Sequence, residues 1–151
     1  MRNFLYFCFL FVWLINASKV LAEGPLNQEF LLRSFLVNAE LARKQGNCKE
    51  AISFYRKYLA QIEKAPGVWN NLGVCLYEER RYSDAILAFK MAYLQKKDSV
   101  YLYNQALCFI ALGQIQKACE ILKKVKFVKS SFLNQLYHIK RLCQNVKHRD
   151  S

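Results

Sequence analysis

The sequence predicts an all-α solenoid of three helical hairpins closed by a C-terminal capping helix, and three observations carry that expectation. Ala51, Ala85 and Ala118 recur at intervals of 34 and 33 residues, a period proper to stacked two-helix units whose small residue lets neighbouring helices approach closely. Around each alanine, apolar residues return every three or four positions, the spacing of one helical face. Each unit is divided by a polar corner, and Gly46 and Gly113 occupy the first and third corners, where glycine suits the end of a helix.

From the N-terminus, Arg2 precedes an apolar run from Phe4 to Ile15, and Val20 and Ala22 follow as small residues before a cut. This is the pattern of a secretory signal, with cleavage expected after Ala22. The run of 12 apolar residues reaches about 18 Å as a helix, well short of the roughly 30 Å hydrocarbon core. A membrane anchor left uncleaved is the alternative. Cys8 sits early in the run without the small residue that a lipoprotein cut requires, so no lipid anchor is expected. Residues 23–151 then form one domain, a length that suits a single core.

The first unit, about 32–65, carries Ala39, Gly46, Ala51 and Tyr55. The second, 66–98, carries Trp69, Leu72, Gly73 and Leu76, then a polar corner from Glu78 to Arg81, then Tyr82, Ala85, Phe89 and Ala92. The third, 99–132, carries Ala106, Gly113, Ala118 and Leu122, and Asp98 and Ser99 ahead of it are suited to cap its first helix. Leu133, Leu136, Ile139, Cys143 and Val146 give residues 131–147 the apolar stripe of a helix that covers the end of the stack.

The succession of Trp, Leu, Gly, Tyr, Ala, Phe and Ala in the second unit resembles the tetratricopeptide repeat, and the flanking units follow the same frame in degenerate form. That family usually ends a unit with proline. Here Pro66 stands near one junction, and Lys97 occupies the other.

The resemblance implies a concave groove lined by the first helix of each hairpin, which holds an extended or helical peptide. Carried over by position, Leu36, Glu40, Arg43 and Lys44 come from the first unit, and Asn70, Asn71, Val74, Tyr77 and Glu78 from the second. The third supplies Tyr103, Asn104, Leu107, Ile110 and Ala111. Val74, Tyr77, Tyr103, Leu107 and Ile110 make the later part apolar, suited to anchoring a partner segment. Some members clamp a C-terminal carboxylate with lysine, asparagine and arginine. Those places hold Leu36, Glu40, Val100 and Asn104, and Asn71 alone matches, so no such clamp is expected. An N-terminal helix over Leu26 to Phe35 that packed back on the groove would be a competing cover.

The chain carries 23 basic and 11 acidic residues. Loss of Arg2 and Lys19 with the leader leaves 21 against 11, a net charge of +10. Lys123, Lys124, Lys126 and Lys129 concentrate that charge near the C-terminus. It favours an acidic protein partner and weak association with an anionic membrane surface, both sensitive to salt. The aromatic residues keep core spacing and do not interleave with lysines, so specific nucleic-acid binding is not expected.

Five cysteines follow the leader, an odd number without C-x-x-C spacing. Cys75 and Cys108 fall at equivalent points of adjacent units, too far apart to bridge when helices pack about 8 to 10 Å apart. Cys119 and Cys143 come within reach only if the capping helix packs on the second helix of the third unit. His138 and His148 are the only histidines, and Glu78 and Glu79 point apart as neighbours on a helix. No catalytic, metal or cofactor site is expected.

The expected function is a non-catalytic exported adaptor, bacterial and periplasmic or secreted, that scaffolds an envelope or secretion assembly. The alternative is a cytoplasmic holding chaperone resembling those that cradle secretion translocators. The pattern sets neither the partner nor the oligomeric state.

Overall fold

The computed structural model describes residues 25–126, 136–141 and 143–144. The expected leader, together with Phe127, Lys129, Leu133, Val146 and His148, lies outside them. The described residues contain no strand. Helices α1 (Pro25–Lys44), α2 (Cys48–Leu59), α3 (Pro66–Glu78), α4 (Tyr82–Gln95), α5 (Ser99–Ala111) and α6 (Ile115–Leu122) follow one another, each packed on the next. They pair as three hairpins. Helix α1 is continuous from Pro25, so Leu26 to Phe35 are its opening turns and not a separate helix folded over the groove.

All three corners use the same hydrogen-bonded turn. At the first, Gly46 N–H donates to Arg43 O at 3.0 Å and Asn47 N–H to Ala42 O at 2.9 Å. At the third, Gly113 and Gln114 donate to Ile110 O and Phe109 O at 2.9 and 2.8 Å. Both glycines have left-handed backbone angles, φ +76° and +72°, which a residue without Cβ adopts freely. The second corner keeps the pattern without glycine: Arg80 and Arg81 donate to Tyr77 O and Leu76 O at 2.9 and 2.8 Å, with Arg80 at φ +58°.

Three of the helix starts are set by local residues. Asn47 Oδ1 accepts from Glu50 N–H at 3.3 Å and its Nδ2 donates to Glu50 Oε2 at 2.7 Å, which caps α2. Pro66 opens α3, where a missing N–H costs nothing. Asp98 caps α5 by accepting from Val100 N–H at 3.0 Å. Ser99, the first residue of α5, instead accepts from Lys126 N–H at 3.3 Å and ties down the chain beyond α6.

The recurring positions are the core. Ala51, Ala85 and Ala118 are fully buried, and four residues on, Tyr55, Phe89 and Leu122 are buried as well. On the first helices, Ala39, Gly73 and Ala106 stand at matching positions, each buried. The small residue makes room for the large one: a Cβ on Gly73 would lie 2.6 Å from the Phe89 ring.

Helix α3 touches α5 directly, whereas α2 and α4 stand further apart with a trough between them. Side chains of α1, α3 and α5 meet across the repeats, so these helices form the inner side of the stack and α2, α4 and α6 its outer side. At the far end, residues 136–141 and 143–144 are helical. Leu136 is buried and Ile139 and Cys143 pack against the third unit, as expected of a cap. Cys119 and Cys143 are joined by a disulfide, with Cα atoms 5.6 Å apart. The condition the sequence left open, packing of the cap on the third hairpin, is met.

Candidate functional site

Ten of the eleven principal groove positions expected from the sequence are half-buried: Leu36, Glu40, Arg43, Asn70, Asn71, Val74, Tyr77, Asn104, Leu107 and Ile110. Tyr103 is the exception. It is 1% exposed and belongs to the core cluster with Ala106, Leu122 and Leu136, so it supports the wall and is not a free anchor. Burial pushes its hydroxyl pKa up, with a smaller contribution from Tyr77. Of the outlying positions, Lys44, Glu78 and Ala111 are exposed at the helix ends.

Alternation along each inner helix produces this arrangement. Leu72, Cys75 and Leu76 face the core of the hairpin, which leaves Val74 and Tyr77 at the margin of the hollow. Tyr77 is held edge-on to Tyr82, with ring centres 5.3 Å apart. Leu107 and Ile110 continue the apolar margin on α5, one repeat further along.

A polar ladder runs beside this wall and joins all three inner helices. Asn104 Nδ2 donates to Asn70 Oδ1 at 2.9 Å, Asn70 Nδ2 to Asn71 Oδ1 at 3.4 Å, and Asn71 Nδ2 to Glu40 Oε1 at 2.8 Å. Glu40 also accepts from Tyr55 OH at 2.6 Å and from Arg43 Nη2 at 2.9 Å. Burial opposes ionisation of Glu40, but the hydrogen bonds from Tyr55, Arg43 and Asn71 outweigh it and hold the carboxyl below its ordinary value. Tyr55 shifts the opposite way, raised first by burial and then by its bond to Glu40.

Glu40 is therefore fully engaged, and its sign repels a carboxylate. The first unit presents a closed polar lock, and the later two carry half-buried apolar residues that pack against the core beside it. Sequence reasoning placed Glu40, Arg43 and Asn71 together by position but missed Tyr55, whose hydroxyl reaches across the hairpin. The available signal was a tyrosine at the α2 position where the other units hold Phe89 and Leu122.

Among the described residues, the free thiols are buried and held protonated. Cys48, Cys75 and Cys108 are free and buried, and burial raises the pKa of each, that of Cys108 to about 12. Cys48 Sγ donates to Glu78 Oε2 at 2.8 Å. Among the described residues, no group of three or more acidic, histidine or cysteine side chains is placed to hold a metal ion. Among the same residues, no helix is long and apolar enough to cross a membrane.

Residues 101–126 match the tetratricopeptide repeat model. The mouse protein described as BBSome complex member BBS4 is 30% identical over 91 residues, which cover 60% of this chain and 18% of that protein. The chain thus spans less than one fifth of the length of this curated relative. Among solved structures, MamA superposes with a TM-score of 0.70 at 20% identity, covering 87% of this chain and 74% of that one. The Yersinia enterocolitica type III secretion chaperone SycD, solved with a peptide of the translocator YopD, gives 0.68 at 15% identity, covering 80% and 95%. The third hairpin carries a tetratricopeptide repeat, and the fold is that of a tetratricopeptide solenoid.

Proposed function

We propose that this protein is a non-catalytic, exported scaffold that holds an extended or helical segment of a partner protein against the inner faces of α3 and α5. The observation that carries the reading is the half-buried apolar margin of Val74, Tyr77, Leu107 and Ile110, set beside side-chain amides able to bond a peptide backbone. A rigid wall that pairs apolar area with polar anchors binds a segment without ordering costs of its own. The peptide-bound SycD structure supports this use of the fold, and the similarity to BBS4, a BBSome complex member, supports a place within a larger assembly. Periplasmic or secreted localisation rests on the leader pattern, and the Cys119–Cys143 disulfide suits an oxidising compartment. An envelope or secretion assembly is the setting proposed.

A cytoplasmic holding chaperone is the second reading. It is favoured by the three free buried thiols and by the similarity to SycD.

Two measurements on protein purified from its native source separate these readings. Mass mapping of the mature N-terminus is expected to find Glu23 first, and an intact Met1 would support the chaperone. Capture of the partner segment is expected to fall in Tyr77→Ala and Leu107→Ala, and capture indifferent to both would remove the inner wall as the binding site.

A further inference from the structure

On the outer side of the stack, α2 and α4 are separated by a trough of about 690 Å³. Its floor is Trp69 and Leu72 of α3, and its walls are Leu59 of α2 with Leu87, Met91 and Leu94 of α4. The three α4 residues recur at i, i+4 and i+7, and they stay open to solvent: Leu87 is 61% exposed, Met91 39% and Leu94 56%. Packing within the stack does not use them, since α4 already buries Ala85, Phe89 and Ala92 on its other side and Ala88 at the base of the trough. A contiguous apolar row of this kind, unused by the fold, marks an interaction surface.

Charge states what fits it. Arg56 on α2 and Lys90 on α4 stand on opposite rims, both exposed, and neither has an acidic partner among the described residues. The one acid of the lining, Asp84, is held by Arg81. The site is therefore an apolar channel with a cation on each bank.

We infer that this outer trough is a second docking site, which takes an amphipathic helix of a partner protein, apolar on one face and flanked by glutamate or aspartate. From Leu87 to Leu94 the wall runs about 10 Å, so about two helical turns fill it. The occupant's apolar ridge enters between α2 and α4 at the i, i+4, i+7 spacing of the wall, and its acids meet Arg56 and Lys90. A recessed channel accepts an inserted ridge, whereas a bilayer surface calls for side chains that protrude. With the inner wall occupied by one segment and the outer trough by another, a single short solenoid bridges two partners.

The test uses the full chain carrying Trp13→Phe, which leaves Trp69 as its only tryptophan. Two synthetic helical peptides share leucines at i, i+4, i+7 and i+11 and differ only in flanking glutamates or lysines. The glutamate peptide is expected to bind by calorimetry and to shift the Trp69 emission. Leu87→Glu, on an exposed side chain that leaves the melt unchanged, is expected to weaken it by about tenfold or more. Arg56→Glu with Lys90→Glu is expected to reverse the preference towards the lysine peptide. Leu107→Ala, on the inner wall, is expected to leave the affinity as it was, which separates this site from the groove. Equal binding of the two peptides, or affinity indifferent to Leu87→Glu, overturns the proposal. Two further results would do so: a dimer in sedimentation that Leu87→Glu dissolves, making a second copy the occupant, or phosphatidylserine vesicles that bind through Leu87 while neither peptide does.

Discussion

Arg80 occupies a backbone conformation that its two counterparts give to glycine. A left-handed residue with a side chain costs about 1 to 2 kcal/mol where glycine costs little, and the same two hydrogen bonds close the turn in every case. Arg80→Gly is accordingly expected to raise stability by about 1 kcal/mol in denaturant melts, part of the gain being offset by the freer unfolded chain. Glu40 makes the complementary case in charge. Its folded pKa is depressed below the ordinary 4.5, so the stability it contributes is fully present above that value. That contribution is lost as pH falls through the lowered pKa. Glu40→Gln is expected to flatten the acid limb of the pH–stability curve below about 4.5, the ordinary carboxyl value. A variant with an unchanged limb would place the acid sensitivity elsewhere.

At the scale of the element, each hairpin closes by setting a small residue of its first helix under a large one of its second. In the middle unit the fit leaves no room for a Cβ. Phe89 is 2% exposed and its ring fills the space over Gly73. Gly73→Ala improves helix propensity by roughly 0.5 to 1 kcal/mol, but overpacking costs about 1 to 3. The thermal midpoint is expected to fall, and adding Phe89→Leu is expected to restore part of the loss, because the two sites share one contact. Hairpins are also joined by side chains that a repeat pattern does not announce. Gln95, at the end of α4, accepts from Ala65 N–H and donates to Glu63 O, both at 2.9 Å, and so fixes the loop before α3.

For the whole molecule, the Cys119–Cys143 bridge fastens the cap to the last hairpin across 24 residues. A loop of that order contributes about 3 kcal/mol through the unfolded chain. Reduction, or Cys143→Ser, is expected to lower stability by about that amount and to open the region beyond Lys126 to protease, leaving α1 to α4 protected. Local packing argues for that asymmetry, since the first two hairpins share one core cluster, to which the third adds Cys108, while the rest of the third hairpin's core is shared with the cap.

The period of 34 and 33 residues, the apolar spacing within it and the two corner glycines were enough to determine hairpins, their order and which faces touch, because those features depend on neighbours in sequence. The expected inner-wall positions were carried over from the same register. Tertiary structure alone decided that Tyr103 lies beneath that wall, that Tyr55, Asn71 and Arg43 converge on Glu40, and that α2 and α4 part to leave an apolar trough. The reason is physical. Periodicity reports which side of a helix is apolar, but how far a side chain stands from solvent, and whether two outer helices meet or splay, depends on the curvature summed over successive repeats.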